Sequence, residues 1–221
     1  MKSASGPPAL RTREKLPAPP QQARSVEKRR KLMESARVLF GDKGFEATSI
    51  GEIASGAGTA TGAFYIYFRS KRQLLVALMN ELLQRLNQVN LNFDRGDTRG
   101  GKGNAVQTGL HRFVSSVFQV DLEYFGVIRA WQEAALTDAE LGRMQTAIHE
   151  WTEARILRVF QSLQKSPHTR SRRDLSNFAR MMDRHFWSLL AQGSKMSAKE
   201  VDREIITAAD VIYHYLFRDR G

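Results

Sequence analysis

The sequence predicts an all-α protein, on three observations. No proline occurs between Gln21 and Ser166, so nothing in that stretch forces a helix to break. Apolar residues recur there at the three- and four-residue spacings of a buried helix face. The strict apolar–polar alternation of a half-buried strand is scarce. The expected architecture is an N-terminal three-helix domain containing a helix-turn-helix, followed by a larger C-terminal helical bundle, about nine helices in all.

The elements follow in order. Five of the six prolines lie within the first 20 residues, among Ser, Gly and Ala, so residues 1–25 are expected to be a disordered basic arm. A first helix from about Val26 to Lys43 buries Leu32, Ala36, Leu39 and Phe40, and Gly44 ends it. Phe45 can then pack back onto it. Ser49 and Glu52 make a capping box for a short helix with Ile50, Ile53 and Ala54 inward. Gly56-Ala57-Gly58 supplies a turn, and a third helix from about Ala60 to Tyr67 puts Phe64 and Phe68 on its core side.

Ser70 caps a longer helix carrying Leu74, Leu75, Leu78, Leu82 and Leu86, expected to reach about Phe93. Residues 94–104 contain four glycines and no apolar side chain ahead of the next pattern, which reads as a flexible loop. Long amphipathic stretches follow at roughly 105–120, 122–136, 138–165, 172–192 and 197–218. The domains are therefore expected at 1–25 (arm), 26–86 (helix-turn-helix domain with its connecting helix, the motif itself at 49–68) and 87–221 (C-terminal bundle).

Composition narrows the function. The 221 residues include no cysteine, which removes thiol catalysis, disulfides and thiolate metal sites. No apolar run approaches a membrane span, and the first 22 residues lack the apolar stretch of a secretory signal, so a cytoplasmic protein without membrane contact is expected. None of the five histidines stands at metal-ligand spacing, and no phosphate-cradling loop or nucleophile elbow is present. Neither metal nor cofactor is expected, and no catalysis. The net charge is +11, and residues 1–75 hold 14 basic against 6 acidic side chains. An excess gathered at one end is the footprint of a polyanion binder.

The two short helices and their glycine-containing turn carry the same message. The second is small-sided at its start, with Thr59, Ala60, Thr61, Gly62 and Ala63, which permits close approach to base edges in a DNA major groove. Tyr65, Tyr67 and Lys71 offer hydroxyl and ammonium groups to phosphates. Thr48 and Ser49, at the start of the first short helix, are expected to present its N-terminus to another phosphate.

Ala36-Arg37-Val38-Leu39-Phe40, Gly44-Phe45, Thr48-Ser49-Ile50, Ile53-Ala54, Ala57-Gly58, Gly62, Phe64-Tyr65, Tyr67-Phe68 and Ser70-Lys71 together resemble the N-terminal domain of TetR-family transcriptional regulators. The resemblance departs at Thr59 and Ala60, where a small aliphatic residue and a Ser are more usual, so Ala60 weakens the expected N-cap. Tyr67 stands where many members carry His. The resemblance implies a homodimeric all-α repressor that binds a palindromic double-stranded operator and is released by a small-molecule effector in its C-terminal domain. It assigns groove contacts to Thr59–Ala63 and phosphate contacts to Thr48, Tyr65, Tyr67 and Lys71. A sequence-indifferent architectural DNA-binding protein that works through its basic arm is the competing reading.

In the C-terminal bundle, Leu175, Phe178, Met182 and Phe186 form one stripe, and Ile205, Ile212 and Tyr213 belong to another. Stripes this wide suggest burial on two sides, hence a two-fold dimer interface. Phe118, Phe125, Trp131, Met144, Trp151, Met181 and Trp187, with Gln132 and His185 for orientation, are expected to line a pocket for an apolar or aromatic effector.

Overall fold

A computed structural model of the chain describes residues 6–14, 17, 21–89, 102–165, 169–170, 174–192 and 196–217. Among these residues there are nine helices and no strand: α1 (Ala23–Lys43), α2 (Ile50–Gly56), α3 (Thr61–Tyr67), α4 (Lys71–Gln88), α5 (Lys102–Glu123), α6 (Phe125–Thr137), α7 (Ala139–Gln164), α8 (Leu175–Gln192) and α9 (Ala198–Leu216). The all-α reading therefore holds, with α1 starting three residues before Val26. Residues 102–104, expected in a loop, open α5. The rest of that loop, and the end of α4 expected near Phe93, lie outside the described residues.

The chain packs as two compact units, residues 1–85 with 123–147, and residues 86–122 with 148–221. The boundary expected at residue 87 is thus corrected, because α6 and the start of α7 belong with the helix-turn-helix. The cause is the crossing of α1 and α6. A Cβ on Gly126 would lie 2.5 Å from the Gly41 Cα and 2.6 Å from its nitrogen, so only glycine lets the two backbones meet. Phe40, Ala36, Val127 and Ala130 are buried on these helices.

The first unit corrects a second expectation. Residues 6–14 of the arm are not loose: Leu10 is buried, and the Asn80 carboxamide on α4 bonds both its backbone N–H (3.0 Å) and its carbonyl (2.9 Å). Glu14 continues the attachment, accepting from Ser70 (2.6 Å) and pairing with Arg72 (3.1 Å). Arg72 also reaches Asp138 at 2.9 Å. The sequence signal was masked by proline content, which removes helix and strand but not docking through side chains.

In the second unit, α8 and α9 bury Phe178, Ala179, Met182, Ile205, Ala208 and Ile212. Ser197 and Glu200 form a capping box at the start of α9. His149 and Asp183 pair at 2.9 Å, and the same carboxylate accepts from Thr152 at 2.5 Å. His111 and Asp210 pair likewise at 2.9 Å. Neither pairing was visible in the sequence, since the partners stand on different helices. No described helix is long and apolar enough to cross a membrane, and no group of three metal-ligating side chains occurs among the described residues.

Candidate nucleic-acid interface

The site is built from the two short helices of the first unit. Ser49 caps α2 in a closed capping box: its Oγ accepts the Glu52 N–H at 3.2 Å, and the Glu52 carboxylate accepts the Ser49 N–H at 2.9 Å. Lys43, at the end of α1, donates to the other oxygen of Glu52. The lysine and these Ser49 bonds hold the Glu52 carboxyl well below its usual range, at about 2. The entry to α2 is thus pinned to the exit from α1.

The turn between the short helices is tight. Gly58 adopts φ +66°, a conformation costly for residues with a Cβ. The Thr59 N–H donates back to the Ala54 carbonyl at 2.9 Å. Ala60 takes the N-cap position of α3 in extended conformation and provides no side-chain cap, as its methyl group dictates.

On α3 the inward face is Phe64, Tyr67 and Phe68, all buried. The outward face is Thr61, Gly62, Tyr65 (47% exposed) and Ile66 (64% exposed). Ala60 is exposed beside them, and Thr59 and Ala63 are half-buried. Of the set expected at a groove, Thr61 and Gly62 lie on the exposed side of this short helix with the Tyr65 phenol, while Ala60 precedes the helix and Thr59 and Ala63 are half-buried. Ile66 was missed. It falls four residues after Gly62, on the same face, and an exposed isoleucine on such a helix suits contact with a thymine methyl.

Two residues expected at phosphates, Thr48 and Tyr67, are buried, and a third, Lys71, is half-buried with its ammonium engaged by backbone carbonyls. Thr48 is 1% exposed and its hydroxyl donates to the Gly44 carbonyl at 2.7 Å. Tyr67 is 8% exposed, because positions 64, 67 and 68 share one helical face. The Lys71 ammonium donates to the carbonyls of Phe45, Glu46 (3.2 Å) and Thr48 (2.9 Å) and lies 4.3 Å from the centroid of the Phe45 ring. Its three donors are already engaged. Ser49 remains exposed, though its hydroxyl serves the capping box.

The side chains expected at a dimer interface also need correction. Phe178, Met182, Ile205 and Ile212 are core residues of the second unit; Leu175, Phe186 and Tyr213 are half-buried. The large apolar side chains exposed on α8 and α9 are Met181, Ile206 and Val211, one step around each helix from the buried stripe. Hydrophobicity alone cannot say which of two adjacent stripes faces the protomer's own core.

The expected effector-pocket residues divide between the units. Phe125, Trp131, Gln132 and Met144 belong to the first, where the Trp131 indole donates to Gln145 at 2.6 Å. Phe118, Trp151, Met181, His185 and Trp187 belong to the second. Met181 and His185 are exposed, Phe118 stacks edge-on against Phe186 and Trp187 lies against His149. The Trp151 Nε1–H is buried with no acceptor among the described residues. Arg155 lies 5.7 Å from the Trp151 ring and donates to the Val89 carbonyl at 3.1 Å. Burial pushes the Asp121 carboxyl up to about 7, against the pull of Arg155. Asp121 and Arg155 carried no recognisable signal in the sequence.

Comparison with known proteins bears on the whole chain and on its first helices separately. Residues 32–78 match the model of the bacterial regulatory proteins of the tetR family. The chain is 33% identical over 98 residues, 44% of its length, to YuxN of Bacillus subtilis, an uncharacterised helix-turn-helix-type transcriptional regulator, and covers 32% of that protein. It spans about half or less of the curated relatives it matches. The fold matches SmeT in its complex with triclosan (TM-score 0.65, 18% identity, 87% of this chain and 92% of that one). It also matches a TetR-family transcription regulator of Marinobacter aquaeolei (TM-score 0.53, 24% identity, 89% and 98%).

Proposed function

Because the N-terminal domain of this chain belongs to the tetR family of bacterial regulatory proteins, we propose that the protein is a sequence-specific DNA-binding transcriptional regulator, a repressor that acts as a homodimer and is released by a small-molecule effector. The observation that carries this reading is α3. Its outward face is small at the N-terminal end and ends in Tyr65 and Ile66, while every large inward side chain is buried. A helix of that shape can lie against base edges, with the Tyr65 hydroxyl turned to a phosphate or a base.

The dimer contact is assigned to the exposed surface that Met181 of α8 and Val211 of α9 line together. A two-fold contact uses one patch twice, so a single such face is enough. It would set two α3 helices at a separation matched to one turn of DNA or a multiple of it, ~34–36 Å.

The effector is assigned to the second unit, where Trp151 keeps a buried donor with no acceptor among the described residues and Asp121 keeps a buried carboxyl within the electrostatic reach of Arg155. Leaving the Trp151 donor unsatisfied costs about 1–3 kcal/mol, a cost that a ligand offering it an acceptor would offset, and the raised Asp121 carboxyl could take part as a donor. Effector binding that changes the spacing of the two reading helices would weaken DNA binding, and DNA would weaken effector binding by the same factor. SmeT, of the same fold, is found in complex with triclosan, which favours a small-molecule effector without locating it.

Competition between a selected duplex and random duplex at physiological salt tests the proposal. The selected duplex should bind ~10³-fold or more tightly. Equal affinity would favour the architectural alternative. Removal of residues 1–24 separates the two again: it should abolish binding in the architectural case and only weaken it here.

A further inference from the structure

A second site lies in the first unit, under the docked arm. Arg11–Glu14, α1 from Val26 to Arg37, and α4 from Leu78 to Arg85 surround a cavity of about 1010 Å³, at the upper end of the range for small-molecule sites. Its apolar lining comes from Val26, Met33, Leu78, Tyr67 and Tyr124. Its charged lining is six arginines against four glutamates.

The four carboxylates are engaged within the unit. Glu14 holds Ser70 and Arg72, Glu34 pairs with Arg37 at 2.7 Å, Glu81 accepts from the Tyr124 hydroxyl at 2.5 Å and Glu123 pairs with Arg85 at 2.8 Å. Arg29 is different. Half-buried, it lies 5.0 Å from the centroid of the Phe68 ring, and the hydrogen bond it makes is to the Met33 sulfur at 3.1 Å. No carboxylate among the described residues lies within ion-pair distance of it.

We infer that this cavity binds a small organic anion, a single carboxylate or sulfonate on an apolar body, with the Arg29 guanidinium as its counter-charge. A planar guanidinium meets a carboxylate through two parallel hydrogen bonds, and a partly desolvated cation gains more from such a partner than an exposed one. One half-buried cation with no carboxylate of the described residues at ion-pair distance, and only the longer-range pull of Glu81, calls for a singly charged head rather than a polyphosphate. Val26, Met33 and the edge of Tyr67 supply apolar surface for an aromatic or aliphatic body. Tyr67 is the last residue of α3, so the occupant touches the reading helix itself. The site is independent of the effector assignment to Trp151 and Asp121, because none of their residues are shared.

The full-length protein can be titrated with 8-anilinonaphthalene-1-sulfonate, followed by its fluorescence, with 1-naphthoate and neutral 1-naphthalenemethanol as competitors. Naphthoate should displace the dye and the alcohol should not. Arg29→Gln should weaken naphthoate by tenfold or more, Arg29→Lys by less, each with unchanged helix content by circular dichroism. Asn80→Ala, which unlatches Leu10 from α4, should weaken it while Arg29 stays in place. Equal affinity of wild type, Arg29→Gln and Asn80→Ala would overturn the inference. So would equal competition by the neutral alcohol, or loss of binding in Trp151→Phe instead of Arg29→Gln.

Discussion

Glu133 and Lys71 grip the same six-residue loop, 44–49, by its two opposite polarities. The Glu133 carboxylate accepts the backbone N–H groups of Phe45 (3.0 Å) and Glu46 (3.2 Å), while the Lys71 ammonium donates to the carbonyls of Phe45, Glu46 and Thr48. The loop joins α1 to α2, so this grip sets the angle at which the helix-turn-helix leaves its supporting helix. Gly44, at φ +85°, brings the chain so close that a Cβ there would lie 2.8 Å from the Glu133 carboxylate.

Lys71→Met should therefore act through the fold. Two partly buried carbonyls, of Phe45 and Thr48, and the exposed one of Glu46 lose their donor, which costs about 1–3 kcal/mol, and the melting temperature should fall. Affinity for every duplex should drop with the salt slope of binding unchanged. A phosphate-contacting lysine would instead reduce that slope by about 1 on removal. Salt titrations of wild type and variant distinguish the two.

The crossing of α1 and α6 predicts an asymmetry between its two glycines. A Cβ at Gly126 meets backbone atoms of Gly41 at 2.5–2.6 Å and the Arg37 carbonyl at 3.0 Å, whereas a Cβ at Gly41 has 3.6 Å to the Gly126 Cα. Backbone cannot give way cheaply, so Gly126→Ala should destabilise by about 1–3 kcal/mol, the cost of overpacking. Gly41→Ala should be near neutral or slightly stabilising, since alanine is the better helix former. Denaturant melts of both variants check this.

Acid should loosen the entry to α2. The Glu52 carboxyl is held at about 2 against an ordinary 4.5, so in the unfolded chain it takes up its proton at the higher pH. Its contribution is complete above about 4.5 and is lost as pH falls toward 2. Glu52→Gln should flatten the stability profile in that window and leave neutral pH less affected than Ser49→Ala combined with it. Thermal melts between pH 2 and 5 report it.

The second unit should show the opposite sign. Burial lifts the Asp121 carboxyl from 3.8 to about 7, so the folded state keeps a proton that the unfolded chain releases. Stability from this group declines as pH rises from about 4 to 7, and the cost is fully present above 7. Asp121→Asn should remove that decline. A profile with the same downward slope in wild type and variant would contradict it.

Much of the fold was legible in local patterns. The Ser49–Glu52 box, the Gly44 stop and the glycine turn each solve a backbone problem within a few residues, and such solutions leave marks in sequence. What was not legible depends on which side of an element meets its neighbours. Tyr67 and Tyr65 are both hydroxyl-bearing aromatics two residues apart, yet one is core and the other surface. The stripe through Phe178 and Ile205 looked as suited to a partner as the exposed Met181 and Ile206. The docking of Leu10 on Asn80, across 70 residues, and the pairing of His149 with Asp183 are long-range events that periodicity does not encode.

The most direct test is methylation interference at guanine N7, an atom that faces the major groove, on the duplex selected by the purified protein. Two symmetric clusters of interfering guanines, centred about one helical turn apart (~10 base pairs, or a multiple), and altered by Tyr65→Ala or Thr61→Ala, are the result expected of paired α3 helices. Interference at no guanine, or a pattern indifferent to both substitutions, would mean that α3 does not read DNA.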